Sequence, residues 1–145
     1  MSHHLLLRVI TRILFGPILL FGLYVQFHGE YSPGGGFQAG VIFAVAFILY
    51  GIVFSLSDLR RLMPDWLVHR LVAFGLLLFI GTGFASFLFG DAYLDYSAFG
   101  SNPIAGQHHG IITIELGVGI TVFSVMLAIF YAFAGRPPRL DDKDW

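Results

Sequence analysis

Cysteine is missing from this 145-residue chain, which excludes disulfides and thiolate metal sites. Charge is scarce too. Only 12% of residues are Asp, Glu, Lys or Arg, where an ordinary soluble domain has about 25%, and 57% are hydrophobic. The formal net charge is −1 and no basic block occurs, so there is no footprint for nucleic acid. No nucleophile motif is present, and no stretch between the apolar segments is long enough for a separate catalytic module. Lysine and arginine are absent from two of the three connections between those segments. With a mean hydropathy of +0.79, the composition is that of an integral membrane protein.

Four apolar runs are each long enough to cross about 30 Å of hydrocarbon, a task for about 20 helical residues. They are Leu5 to Phe27, Phe37 to Ser57, Leu71 to Phe89 and Ile111 to Phe133. The chain is therefore expected to be all-α, a bundle of four transmembrane helices forming one domain over residues 1–145. Arg8 and Arg12 lie near the start of the first run, where their side chains reach back to the headgroup layer. Arg60, Arg61 and Arg70 border the second connection, and Arg136, Arg139 and Lys143 fall in the tail. By the positive-inside rule both termini and the second connection are cytoplasmic. A cleaved signal peptide is the competing reading of the first run, but Gln26-Phe27-His28-Gly29 holds no small-residue cleavage site, which favours a retained helix. Gly90 to Gly110 reads as an irregular external loop, and Gly135 to Trp145, with Pro137-Pro138, as a helix stop followed by a solvated tail. No internal repeat is visible, which weighs against a stand-alone secondary transporter.

The first connection is the most unusual segment: His28-Gly29-Glu30-Tyr31-Ser32-Pro33-Gly34-Gly35-Gly36-Phe37-Gln38-Ala39-Gly40. Proline followed by three glycines sets a flexible break at the mouth of a membrane helix and leaves amide donors uncovered at its N-terminus. Such an opening could hold a carboxylate such as Glu30, a lipid phosphate or a partner loop. Phe37 is expected to seat the helix start in an apolar pocket. Gly36, Gly40 and Ala44 recur every four residues, a stripe that permits close helix packing, within the chain or against a partner.

Glu115 is the one acidic residue deep in an apolar run. For a helix starting near Ile111, it lies about 6 Å below the outer end at 1.5 Å per residue. A carboxylate there is costly unless paired, hydrated or protonated, which makes it a functional candidate. The competing role is a packing bond to a neighbouring helix. His108, Ile112, Glu115, Gly119 and Val122 share one helical stripe, with an imidazole at the water line and a carboxylate below it. With Glu30, Asp91, Asp95, His28 and His109, the outer face is acidic and rich in histidine, suited to attracting cations and exchanging protons near neutral pH. The histidine spacing matches no metal motif, so neither a metal nor a cofactor is expected.

Pro33-Gly34-Gly35-Gly36-Phe37, followed by Gln38-Ala39-Gly40, resembles the signature of the MnhB (also MrpB) subunit of the multisubunit Mrp sodium/proton antiporter. The likeness continues in Glu115-Leu116-Gly117-Val118-Gly119 and Val125-Met126-Leu127, and covers most of the chain. Related segments occur in the large A-type subunit and in membrane-bound hydrogenases, but a four-span chain of this size is similar to MnhB. The resemblance implies exchange of Na+ or another monovalent cation against H+ in a bacterial plasma membrane. The implied partners are subunits of the A, C, D, E, F and G type, together with membrane lipid. Large A-type and D-type subunits carry the lysine and glutamate relays in that family. The present chain has no intramembrane lysine, which implies an accessory, non-enzymatic role. Pro33, Gly34, Gly35, Gly36, Phe37 and Gly40 would shape a subunit interface or the place where ions enter. Glu115, His108, Glu30 and His28 are the candidates for an ion or proton route. Two rivals stand beside this reading: a small homo-oligomeric cation channel lined by Glu115, and a lipid-acting enzyme using Glu30, His108 and Glu115 as acid and base.

Overall fold

The computed structural model describes residues 2–29, 34–88 and 92–136. Glu30, Pro33, Asp91 and residues 137–145 of the expected tail lie outside the described residues. Four helices are long and apolar enough to span a membrane: α1 (Ser2–Phe27), α2 (Gly36–Val53), α4 (Asp65–Leu88) and α5 (Pro103–Ala134). Between α2 and α4 lies a short helix, α3 (Leu56–Leu62), and a single 3-10 turn covers Ser97–Phe99. The described residues contain no strand. The protein is thus an all-α, multi-pass membrane protein.

The helix ends follow capping chemistry rather than hydropathy, and here the structure departs from the apolar runs. Ser55 ends the second span before Ser57: its Oγ accepts from the Asp58 N–H (3.1 Å) and donates to Asp58 Oδ2 (2.8 Å), which caps α3. Helix α4 begins six residues before Leu71, at Asp65, and the Leu67 and Val68 amides donate to the Pro64 carbonyl. The largest shift is in α5. Asn102 Oδ1 accepts from the Ala105 N–H (2.8 Å) and Pro103 occupies the first turn, so helix replaces the expected irregular loop from Pro103 to Gly110. At 32 residues α5 reaches about 48 Å, longer than the hydrocarbon it crosses.

The spans pack in the order α1, α2, α5, α4, with only slight contact between α1 and α5. Helix α5 is the axis of the arrangement because it presents glycine on two faces. A Cβ placed on Gly40 of α2 would lie 2.6 Å from Gly119 O and 2.9 Å from Val122 Cβ. On the other side, a Cβ on Gly75 of α4 would strike Thr121 Oγ1 and lie 2.8 Å from Gly117 O. Gly117 and Gly119 are two residues apart, about 200° around a helix, so each serves a different neighbour. The hydroxyls of Thr82, Thr113, Thr121 and Ser124 donate to carbonyls one turn back, at 2.5–2.8 Å, so none needs a partner in lipid.

Two clusters close the ends. At the arginine-bearing end, Leu59, Met63, Val68, Leu127 and Tyr131 form a buried core, and the Tyr131 hydroxyl donates to the Met63 carbonyl (2.7 Å). At the opposite end, buried Tyr96 packs on Gly106 and Gly110. Asp95 Oδ1 there accepts from Ser97 N–H, Ser97 Oγ and Gln107 Nε2, which fastens the loop to α5.

Candidate functional site

The glycine turn and Glu115, far apart in sequence, form one site. Gly35 is the N-cap of α2 with φ of 103°, a left-handed conformation that side chains other than glycine's resist, and no side chain caps the helix. The Gly35 N–H donates to the Val25 carbonyl (3.2 Å), which ties the turn to the last turn of α1. Glu115, half-buried on α5, fills the remaining space. Its Oε1 would lie 2.9 Å from a Cβ on Gly35 and 3.0 Å from one on Gly29, and its backbone carbonyl occupies the place a Gly36 side chain would need. The carboxylate therefore sits beside the N-terminal end of α2, the positive end of its dipole. Only glycine at positions 29, 35 and 36 lets it approach so closely.

Three members of the expected stripe, Glu115, Gly119 and Val122, do face the start of α2. His108 lies on the same helix, exposed, seven residues and thus about 10.5 Å along the axis from Glu115. Glu115 itself is twelve residues inside α5, about 18 Å from its first residue rather than 6 Å, because the helix starts at Pro103. The histidine in the neighbourhood of the carboxylate is His28. It is exposed, its ring stacks on Tyr24 (4.1 Å between centroids), and it directly precedes Gly29, whose backbone abuts Glu115. Phe37 corrects an expectation: it is 64% exposed and seats no pocket of this chain, because the inward positions of the first turns belong to Gly36, Ala39 and Gly40.

The acidic surface at the end of the bundle away from the arginines is also less free than its composition suggests. Hydrogen bonds from Ser97, and then Gln107, hold the Asp95 carboxyl below the usual carboxylate value. Among the described residues no group of three or more His, Asp or Glu is placed to hold a metal.

Sequence reasoning passed over Gln26. It is 95% buried, its Oε1 lies against Gly119, and its Nε2 has no hydrogen-bond partner among the described residues. It lines a cleft of about 360 Å³ between α1, α2 and α5, whose walls include Leu23, Phe43, Phe47, Leu116 and Phe123. The signal was a carboxamide in the otherwise apolar C-terminal half of α1.

Residues 6–128 match the family described as "Domain related to MnhB subunit of Na+/H+ antiporter". The chain is 34% identical over 137 residues to the B-type subunit of a Na+/H+ antiporter from Alkalihalophilus pseudofirmus, covering 92% of this chain and 94% of that one. It is 35% identical over 138 residues to the "Putative antiporter subunit mnhB2" of Staphylococcus haemolyticus, with 92% and 96% covered. The protein of the same name from Staphylococcus aureus strain Newman is 33% identical over 143 residues, with 92% and 96% covered. On these likenesses, and with four apolar spans in place, the chain belongs to the family of the MnhB subunit of Na+/H+ antiporters.

Proposed function

We propose that this chain works as an accessory, non-enzymatic subunit of a multisubunit Na+/H+ antiporter, and that its own contribution to transport centres on Glu115. Family membership supports the subunit role. The accessory character follows from composition: the single lysine, Lys143, lies in the tail, so the spans hold no lysine for a proton relay. Subunits of the A, C, D, E, F and G type are the partners, and a bacterial plasma membrane is the location. Both termini are cytoplasmic, since Arg8, Arg12, Arg60, Arg61 and Arg136 cluster at one end of the spans.

The observation that carries the site is the contact of Glu115 with Gly29 and Gly35. It joins an acid well inside the longest helix to a turn directly preceded by the exposed imidazole of His28. A proton or cation arriving from outside meets the imidazole first and the carboxylate next, with His108 as a second approach along α5. Glu30 and Pro33 lie between Gly29 and Gly34 in the sequence and belong to the same proposed route.

Glu115→Gln in the whole complex tests this, with antiport and assembly measured separately. The expected result is reduced antiport in a normally assembled complex. Unchanged antiport in such a complex removes Glu115 from the route, and loss of assembly makes it a latch between α5 and the glycine turn.

A further inference from the structure

We infer that Arg8, Arg12 and Phe54 form a binding site for the phosphate of an anionic phospholipid at the arginine-bearing edge of the α1–α2 contact. The guanidinium carbons of Arg8 and Arg12 stand 5.6 Å and 5.1 Å from the centroid of the same ring, that of Phe54. Two cations one helical turn apart repel each other, and a shared aromatic face offsets that only in part. Among the described residues neither arginine is ion-paired. The acid nearest Phe54 in the chain, Asp58, is engaged by Arg61 (3.7 Å) and by the Ser55 hydroxyl (2.8 Å). Arg60 has its own carboxylate, Asp65, at 3.4 Å. Arg70 and Arg136 each stand over a separate ring, Trp66 and Phe133, so among the described residues the pair on Phe54 is the place where two cations share one ring without a counter-charge.

Depth selects the anion. Helix α2 has 18 residues, about 27 Å, slightly less than the hydrocarbon thickness, so Phe54 at its end lies at the border with the headgroups. Arg12 is inside the apolar span Leu5–Phe27 and is held level with that border by the ring. Buried Thr11, between the two arginines in sequence, faces inward, so the guanidiniums are exposed at the rim of the helix pair. Lipid phosphates are the anions present at that depth, and two guanidinium forks suit their oxygens. The site is independent of Glu115 and at the other end of α2.

The test is lipid binding to the intact antiporter complex, read by native mass spectrometry while phosphatidylglycerol is added to detergent-washed protein. Arg8→Gln with Arg12→Gln is expected to weaken binding about thirtyfold, and Arg12→Gln alone about fivefold, from the contribution of each basic residue near an anionic surface. Arg61→Gln with Arg136→Gln removes the same charge from the same end and is expected to leave binding within about twofold, since neither residue touches the Phe54 site. Unchanged binding in the Arg8 and Arg12 variants overturns the site, as does an equal loss in the control pair. Displacement of the lipid by millimolar inorganic phosphate assigns the arginines to a free anion. Loss of another subunit with lipid retained assigns them to a carboxylate of that subunit. Either result overturns the lipid reading, and the single Arg12→Gln variant keeps the test open if the double variant fails to assemble.

Discussion

Replacing Gly40 with leucine tests whether α2 and α5 owe their contact to missing side chains. The first added atom alone would lie 2.6 Å from Gly119 O, whereas ordinary contact begins at 3.4 Å, so the helices must part by about 0.8 Å (3.4 − 2.6) before the rest of the side chain finds room. Overpacking of this kind costs about 1–3 kcal/mol, and leucine belongs at the upper end because its branch meets Val122 as well. Removing a helical glycine returns about 1 kcal/mol of backbone propensity. The net loss is therefore about 2 kcal/mol, roughly a thirtyfold fall in the folded population. The control is Gly81→Leu on α4, where nothing lies within 4 Å of an added Cβ, so that only the favourable propensity term acts. Unfolding in mixed micelles titrated with SDS, followed by far-UV circular dichroism, compares the two directly. Equal stability of Gly40→Leu and Gly81→Leu would refute the close-packed seam.

Gly35→Ala forces a side chain into φ of 103° and brings its Cβ to 2.9 Å from Glu115 Oε1, so it should cost about 1–3 kcal/mol in the same titration and free the start of α2 to faster amide exchange. For Asp95, whose carboxyl is held below its ordinary value of 3.8 by Ser97 and Gln107, the sign follows from linkage: its stabilisation is fully present above 3.8 and is lost as pH falls through the lower folded value. Hydrogen exchange in residues 92–102 should therefore be protected evenly at pH 5 and above (about one unit clear of that value) and rise below about pH 4, while Asp95→Asn removes the pH dependence.

How much could be read from the sequence depended on the kind of free energy a residue carries. The four spans were legible because burying uncharged runs in hydrocarbon is a sum over neighbours in the chain. Their ends were less so. Asp65, His69 and Arg70 are polar yet helical, and Asn102-Pro103 is a cap that hydropathy passes over, which left α5 eight residues short and Glu115 too shallow. Glu115 stood out because an acid in lipid is costly, and the triglycine because so few sequences need one. Their meeting was not legible. The contact of Glu115 with Gly29 and Gly35 joins distant parts of the chain, and neither period nor spacing encodes it. Which of the three glycines takes the left-handed conformation was also hidden, since all three permit it.

The open order of the helices gives α1 a special position. It packs on α2 through Phe15 and Gly22, and it touches α5 only slightly, with Gln26 against Gly119. Arg8 and Arg12 hold one end through Phe54, and the Gly35 amide holds the other through the Val25 carbonyl. Between these ends lies the cleft lined by Gln26, where α1 and α5 stand apart. The α2–α5 seam has no such slack, because Gly40 and Gly119 meet backbone to backbone. A displacement of α1 along its axis thus moves Gly29, which follows its last turn, and with it one wall of the space around Glu115, while drawing Gln26 across Gly119 at the seam. The carboxylate sits where the least constrained span meets the most constrained one.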